Sequence, residues 1–174
     1  MGKNYKAELH KINTFVLDYD GVLTDGLVIL TADGEALRTA NVKDGYAMQL
    51  ARKKGYRLII ISGGYSKSTL LRLQNLGIEE IHLGVEHKLE TYHQMVKKYD
   101  LKPENVIYMG DDIPDMKPMS EAGLACCPAD AAEEIKAISG YISPVKGGHG
   151  CVRDIIEQVM KVHNKWLDGD AHHW

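Results

Sequence analysis

The sequence predicts an α/β fold: a doubly wound parallel sheet with helices on both faces and a short β-hairpin insertion. Three observations predict it. Short apolar runs rich in β-branched residues alternate along the chain with amphipathic stretches at helical spacing, the pattern of a covered parallel sheet with right-handed crossovers. Reactive polar residues follow the runs directly, where open α/β sheets hold their ligands. The 174 residues, 44% of them hydrophobic, suit one domain spanning 1–174 with a single sizeable core.

The elements follow in chain order. Thr14–Leu17 (T-F-V-L) reads as a short buried strand. Residues 27–30 (L-V-I-L) and 35–42 flank the turn Thr31-Ala32-Asp33-Gly34, and Asp-Gly between two strand-like runs marks a hairpin, an insertion over about 27–42. Asp44 is placed to cap a helix running to about Lys54, with Ala47, Leu50 and Ala51 on one face and Gly55 as its stop. Arg57–Ile61 (R-L-I-I-I) is the clearest buried strand. Residues 66–76 form a helix carrying Leu70, Leu73 and Leu76, ended by Gly77. A short strand at 81–83, a helix at Lys88–Tyr99, a strand at 105–109 and an apolar run at 123–127 follow, and a helix at 152–166 closes the fold. The tail 168–174 reads as disordered. There is no internal repeat and no low-complexity segment.

Composition excludes several function classes. A formal charge of −3 and a pI near 6.2 give no footprint for nucleic acid or another polyanion. No apolar run approaches the roughly 20 residues of a membrane span. Cys126, Cys127 and Cys151 are odd in number and two are adjacent, which fits neither a disulfide framework nor zinc spacing; they read as buried thiols of a reducing compartment. The opening M-G-K-N-Y-K-A-E-L-H-K lacks a signal-peptide core, so a cytoplasmic protein is expected.

The strand ends carry the chemistry. F-V-L-D-Y-D-G-V-L-T-D-G places Asp18 and Asp20 after the first strand. Ser62, Gly63 and Gly64 follow the second sheet strand; Gly110, Asp111, Asp112 and then Asp115 follow the fourth, and Lys88 opens the helix between. Clustered carboxylates raise one another's pKa unless a cation compensates them, and Mg²⁺ suits one or two carboxylates with water and phosphate oxygens. The Ser62 hydroxyl, the Gly63 amide and the Lys88 ammonium suit a phosphate. Taken singly, Asp20-Gly21 is an ordinary turn, Gly110-Asp111-Asp112 a solvated loop, Ser62 a cap and Lys88 a surface charge. Their joint order after successive strands points instead to phosphoryl transfer onto an aspartate.

This order resembles the haloacid dehalogenase superfamily, with D-Y-D-G-V, Ser62, Lys88 and G-D-D-I-P-D as its four motifs over residues 14–154. The resemblance implies a Rossmann-like sheet and assigns roles. Asp18 is the nucleophile, and Asp20 is the general acid, then the base. Ser62, Gly63 and Lys88 bind phosphate. Asp18, the backbone carbonyl of Asp20 and Asp111 hold Mg²⁺, and Asp112 supports the metal's waters.

Asp20 and Ser62 are 42 positions apart and Ser62 and Lys88 are 26 apart, spacings that the hairpin and single helices consume, so neither usual insertion point holds a cap. D-G-V-L-T-D-G, the hairpin, V-K-D-G-Y-A-M and K-G-G-H-G-C-V-R-D resemble the capless 3-deoxy-D-manno-octulosonate 8-phosphate phosphatases. That likeness implies a homotetramer with hairpins packed at its centre, a sugar acid phosphate substrate and a place in lipopolysaccharide precursor synthesis. It also implies that a flexible glycine-rich segment at 146–153 reaches a neighbour's site with Lys146 and Arg153, while Arg72 lies near the substrate's carboxylate end. Gly64 departs from the pattern: many of these enzymes carry arginine there, and relatives acting on nine-carbon keto sugar acid phosphates carry an acidic residue. A nine-carbon 9-phosphate, or another phosphomonoester including protein or nucleotide phosphates, is the alternative substrate. A receiver domain also has an acidic pocket, but its acceptor aspartate ends the third strand, and no aspartate stands beside Ile61 and Ser62.

Overall fold

The structure, a computed structural model, describes residues 4–172. Six parallel strands form one sheet in the order β5-β4-β1-β6-β7-β8. They are β1 (Thr14–Leu17), β4 (Arg57–Ile61), β5 (Glu80–His82), β6 (Val106–Met109), β7 (Leu124–Cys127) and β8 (Tyr141–Ile142). β1 lies in the middle, pairing Thr14 with Arg57 on one side and with Val106 on the other. All four of its residues are buried, as a strand covered on both faces requires.

Alternation along the strands divides the core into two layers. Phe15, Leu17, Ile60 and Met109 face helices α2 (Val42–Lys53), α3 (Lys67–Asn75) and α7 (Cys151–Val162), meeting Ala47, Leu50, Leu73, Ile155 and Val159. Val16, Ile59 and Tyr108 face α4 (Lys88–Tyr99), α5 (Met116–Glu121) and α6 (Glu133–Ile138), meeting Tyr92, Met95, Met119 and Ile135. A short N-terminal helix, α1 (Tyr5–Glu8), precedes β1.

The hairpin is present but pairs only β2 (Ile29–Leu30) with β3 (Ala36–Leu37). Its turn closes through Thr31 and Glu35, with Gly34 at φ +86°. The longer pairing expected over 27–42 does not form; no described residue covers the ribbon, and Leu27 and Leu30 remain 71% and 79% exposed. Between β1 and β4 lie only this hairpin and α2, and between β4 and α4 only α3 and β5, so a cap domain is absent among the described residues.

Several boundaries differ from expectation for local reasons. Asn41, not Asp44, caps α2, accepting from the Lys43 amide at 2.8 Å. The helix therefore starts earlier, and Asp44 falls in its first turn pointing inward. There its Oδ1 accepts from the Arg153 amide at 2.7 Å, so Asp44 caps α7 across space. α7 stops at Val162 rather than 166 because Asn164 turns left-handed (φ +57°), and Trp166 folds back edge-on against Tyr46. Helices α5 and α6 and strand β8 carry too few residues for the periodicity to reveal them. The tail expected to be disordered pairs Asp168 with Lys54 at 2.6 Å and makes a 3₁₀ turn over Gly169–His172; residues 173–174 lie outside the described residues.

The glycine-rich segment is not the free strap its composition indicated. Gly147 donates to Asp130 Oδ1 at 2.9 Å and Gly148 to the Val22 carbonyl at 2.9 Å, while Asn41 holds the Gly148 carbonyl. A Cβ at Gly147 would stand 1.8 Å from the Gly21 carbonyl oxygen. Glycine is needed there for close backbone approach, and the segment buttresses the loop that follows β1.

Asp44→Ala removes the acceptor at the start of α7 and leaves a partly buried amide without a partner. A loss of about 1–2 kcal/mol is expected, read as a lower urea midpoint with an unchanged slope. An unchanged midpoint would remove Asp44 from this role.

Candidate active site

The carboxyl ends of β1, β4 and β6 open onto a crevice of about 390 Å³ lined by Asp18, Asp20, Ser62, Gly63, Lys88, Asp111, Asp112 and Asp115, with Gly21, Gly64 and Glu86 beside them. Asp18 is the first residue beyond β1, and its amide continues the ladder to the Met109 carbonyl at 3.0 Å, so the sheet itself fixes its place. The chain then turns sharply: the amides of Leu23 and Thr24 return to the Tyr19 carbonyl, and the buried Thr24 hydroxyl accepts from the amides of Gly21 and Gly26.

Lys88 is the first residue of α4 and is buried. Its ammonium lies 2.9 Å from Asp18 Oδ1 and 2.8 Å from Asp115 Oδ1, and the Tyr108 hydroxyl also donates to Asp115 Oδ1 at 3.1 Å. Burial alone would push the Lys88 ammonium down, but Asp18 and Asp115 outweigh it and hold its pKa above the usual lysine value. Burial, with the Asp115 charge, pushes Asp18 well above the usual carboxylate range against the pull of Lys88. Burial first and Asp115 second raise Asp111 to about 6.

One oxygen from each of Asp18, Asp111 and Asp115 lies within 4.8 Å of the others. Asp111 presses so closely on the turn that a Cβ at Gly21 would sit 1.9 Å from its Oδ2. Three crowded carboxylates share one ammonium, and the donor set is all oxygen. These residues fit a hard divalent cation, and of the three carboxylates Asp111 is the one that makes no ion pair with Lys88. Ser62 is buried at the end of β4, its Oγ accepting from the Gly64 amide at 3.3 Å, and exposed Gly63 turns along the crevice wall. A hydroxyl, an amide and an ammonium beside carboxylates that fit a cation suit a phosphate ester approached by an aspartate.

Comparison with known proteins agrees with this arrangement. The haloacid dehalogenase-like hydrolase family matches residues 27–123. The chain is 34% identical over 159 residues to 3-deoxy-D-manno-octulosonate 8-phosphate phosphatase KdsC of Escherichia coli K12, covering 91% of this chain and 85% of that one. This chain belongs to the haloacid dehalogenase-like hydrolases. It is a phosphatase, a phosphomonoester hydrolase. The crystal structure of the Yersinia pestis 3-deoxy-D-manno-octulosonate 8-phosphate phosphatase superposes with a TM-score of 0.92 at 32% identity, covering 96% of this chain and 90% of that one. The Moraxella catarrhalis phosphatase of the same name, solved with a magnesium ion, a phosphate ion and a KDO molecule, superposes at 0.88 with 33% identity and 91% of each chain covered.

In this hydrolase the structure brings together Asp18, Asp20, Ser62, Gly63, Lys88, Asp111 and Asp112. Asp112 is exposed at the crevice edge, its Oδ1 capping the following turn through the Ile113 amide at 2.8 Å. Three expected substrate-binding residues do not join the crevice of their own chain. Arg72 donates to the Asn41 carbonyl at 3.2 Å, at the start of α2. Lys146 is exposed on the buttressing segment. Arg153 pairs with Glu157 at 3.2 Å and stacks near Trp166, beside a separate groove with Lys43, His149 and Lys161. Two residues matter more than the sequence reading allowed. Asp115 was visible only as the last carboxylate of G-D-D-I-P-D, and Arg38 gave no signal, because its partner lies 18 positions away across a turn.

The raised carboxyls set a pH dependence. A carboxyl whose folded pKa exceeds its unfolded value binds its proton more tightly when folded. Its stabilising contribution is therefore complete below about 4 and is lost as pH rises through about 6 for Asp111. Metal-free protein should melt at a lower temperature at pH 7.5 than at pH 5, and Asp111→Asn should narrow that gap. A divalent cation should raise the melting temperature more at pH 7.5 than at pH 5; equal cation effects at both pH values would contradict the crowding.

Proposed function

We propose that this chain is a Mg²⁺-dependent phosphatase that hydrolyses 3-deoxy-D-manno-octulosonate 8-phosphate to the free keto sugar acid and phosphate through a phosphoryl group carried on Asp18. The observation that carries this reading is the Asp18–Lys88–Asp115 arrangement: a carboxylate at the end of the central strand, held by one ammonium, at the floor of an open crevice with Asp111 beside it. The naming of the relatives and the KDO molecule in the Moraxella catarrhalis structure support the substrate.

Asp18 attacks phosphorus, the phosphorus–oxygen bond to the sugar breaks, and Asp20 gives its proton to the departing sugar oxygen. Asp20, now a carboxylate, takes a proton from a water that attacks the phosphoaspartate, and phosphate leaves with Asp18 restored. Ser62, the Gly63 amide and Lys88 hold the phosphoryl oxygens throughout. Mg²⁺, held by Asp18, Asp111 and the carbonyl of Asp20 with Asp112 beside its waters, supplies positive charge that favours the ionised Asp18 and offsets the charge on the phosphoryl group.

The domain is a single capless unit spanning 1–174 that works in the cytoplasm, in lipopolysaccharide precursor synthesis. It assembles as a homotetramer through the hairpin, whose Leu27, Ile29 and Leu30 are exposed on an uncovered ribbon. In that assembly Lys146 and Arg153, neither of which lines the crevice of its own chain, act on the sugar acid across subunits, and Arg72 serves the carboxylate end of the sugar acid.

Asp18→Asn should abolish turnover, by at least the roughly 10⁴-fold expected when a nucleophile is lost, while the melting temperature is kept or raised. Phosphate release from a panel of sugar phosphates, including a nine-carbon 9-phosphate, with and without Mg²⁺, tests the substrate; a preference for another ester would replace it. For the assembly, gel filtration should report about four times the chain's 19.4 kDa, and Leu30→Asp should shift the protein toward monomer. A wild-type monomer would end the subunit-sharing reading.

A further inference from the structure

Arg38, at the foot of the hairpin just beyond β3, reaches back to the crevice. Its Nε lies 2.6 Å from Asp20 Oδ1 and its Nη2 2.9 Å from Asp20 Oδ2, a two-pronged pair that fixes both the rotamer and the plane of the carboxylate. Its Nη1 donates to the Ala36 carbonyl at 2.8 Å, so the guanidinium is itself anchored. The Arg38 side chain is only 10% exposed against 32% for Asp20: the arginine stands behind the carboxylate, and the carboxylate faces the crevice. Gly64 completes the arrangement. A Cβ there would lie 2.5 Å from Asp20 Oδ2 and 2.8 Å from Arg38 Nη2, so the pair occupies the space that any side chain at residue 64 would need.

We propose that Arg38 is the positioning residue for Asp20, and that Gly64 is the space that lets it act. The inference rests on Asp20 serving as acid and base, and it adds what aims that group. Arg38 has little exposed surface and three of its nitrogens are engaged, which argues for a fixed support rather than a group that grips substrate. The segment from 19 to 26 turns tightly around the Tyr19 carbonyl and Thr24, but no bond from that turn orients the Asp20 side chain; among the described residues its recorded partner is Arg38.

The test compares 3-deoxy-D-manno-octulosonate 8-phosphate with p-nitrophenyl phosphate, whose leaving group departs without a proton. Arg38→Ala should lower kcat for the sugar phosphate about 10- to 100-fold, the scale of a misplaced catalytic group, with KM nearly unchanged. The transient release of p-nitrophenol in the first turnover should fall by no more than about threefold, since acid catalysis contributes little to that step. Arg38→Lys, which keeps the charge but not the fork, should lie between wild type and Arg38→Ala. Gly64→Ala keeps the arginine and displaces the pair, and should reproduce the same leaving-group selectivity. It keeps the proposal testable if Arg38→Ala does not fold. Equal losses on both substrates would mean general disruption and would overturn the proposal, as would wild-type turnover of the sugar phosphate by Arg38→Ala or Gly64→Ala. Asp20→Asn serves as the control: full activity in it would remove the acid–base role of Asp20 itself, and the positioning role with it, whereas an inactive Asp20→Asn beside a normal Arg38→Ala would remove only the positioning role.

Discussion

One ammonium shared by two buried carboxylates sets the conditions for the rest of the site. Lys88 forms ion pairs with Asp18 and Asp115 together, and Tyr108 adds a donor to the same Asp115 oxygen. Burying three charged groups is costly, and what makes it tolerable is that each has a partner at hydrogen-bonding distance. The arrangement dictates the local architecture. Lys88 must begin α4 so that its stem runs inward, Asp115 must lie one turn beyond Asp111, and β1 must sit between β4 and β6 so that all three ends converge. The arrangement is also short of two positive charges, because three carboxylates share one ammonium and, among the described residues, Asp111 has no ion pair of its own. That deficit leaves room for a cation rather than marking a fault in the packing.

For Asp20 the problem is direction rather than charge. Asp18 is held by the strand ladder, but Asp20 lies two residues later on a turn, where a side chain has several rotamers open to it. The hairpin supplies the constraint through Arg38. The same insertion that leaves Leu27, Ile29 and Leu30 uncovered by the rest of its own chain thus reaches Asp20 with its other end. In a fold with no covering domain, one small element serves both the outer surface and the interior of the crevice.

The frame was legible where burial is total or helical spacing runs long. β1, β4 and α4 fall at the bounds the sequence implies, because T-F-V-L, R-L-I-I-I and the stretch from Lys88 to Tyr99 each have one stable way to bury their apolar atoms. The gathering of polar residues at the strand ends was legible because acidic, hydroxyl and basic residues follow strands in a fixed order. What escaped depends on contacts between distant segments. Asp44 looks like the cap of its own helix and instead caps α7, 109 positions away. Gly147 and Gly148 look flexible and are instead small enough for backbone to lie on backbone. β8 and α6 are too short to show a period, and Arg38 is one charge among many until its partner is placed.

The contact between Gly147–Gly148 and the loop from Gly21 to Asp25 gives the site a history as well as a geometry. The loop that follows β1 is synthesised early, yet the backbone that rests against it arrives more than 120 residues later, together with the helix capped by Asp44. Long-range closure of this kind is slow relative to local helix formation. A nascent chain that already carries Asp18 and Asp20 therefore holds them on an unsupported turn, and the loop takes its final shape only when the last helix docks.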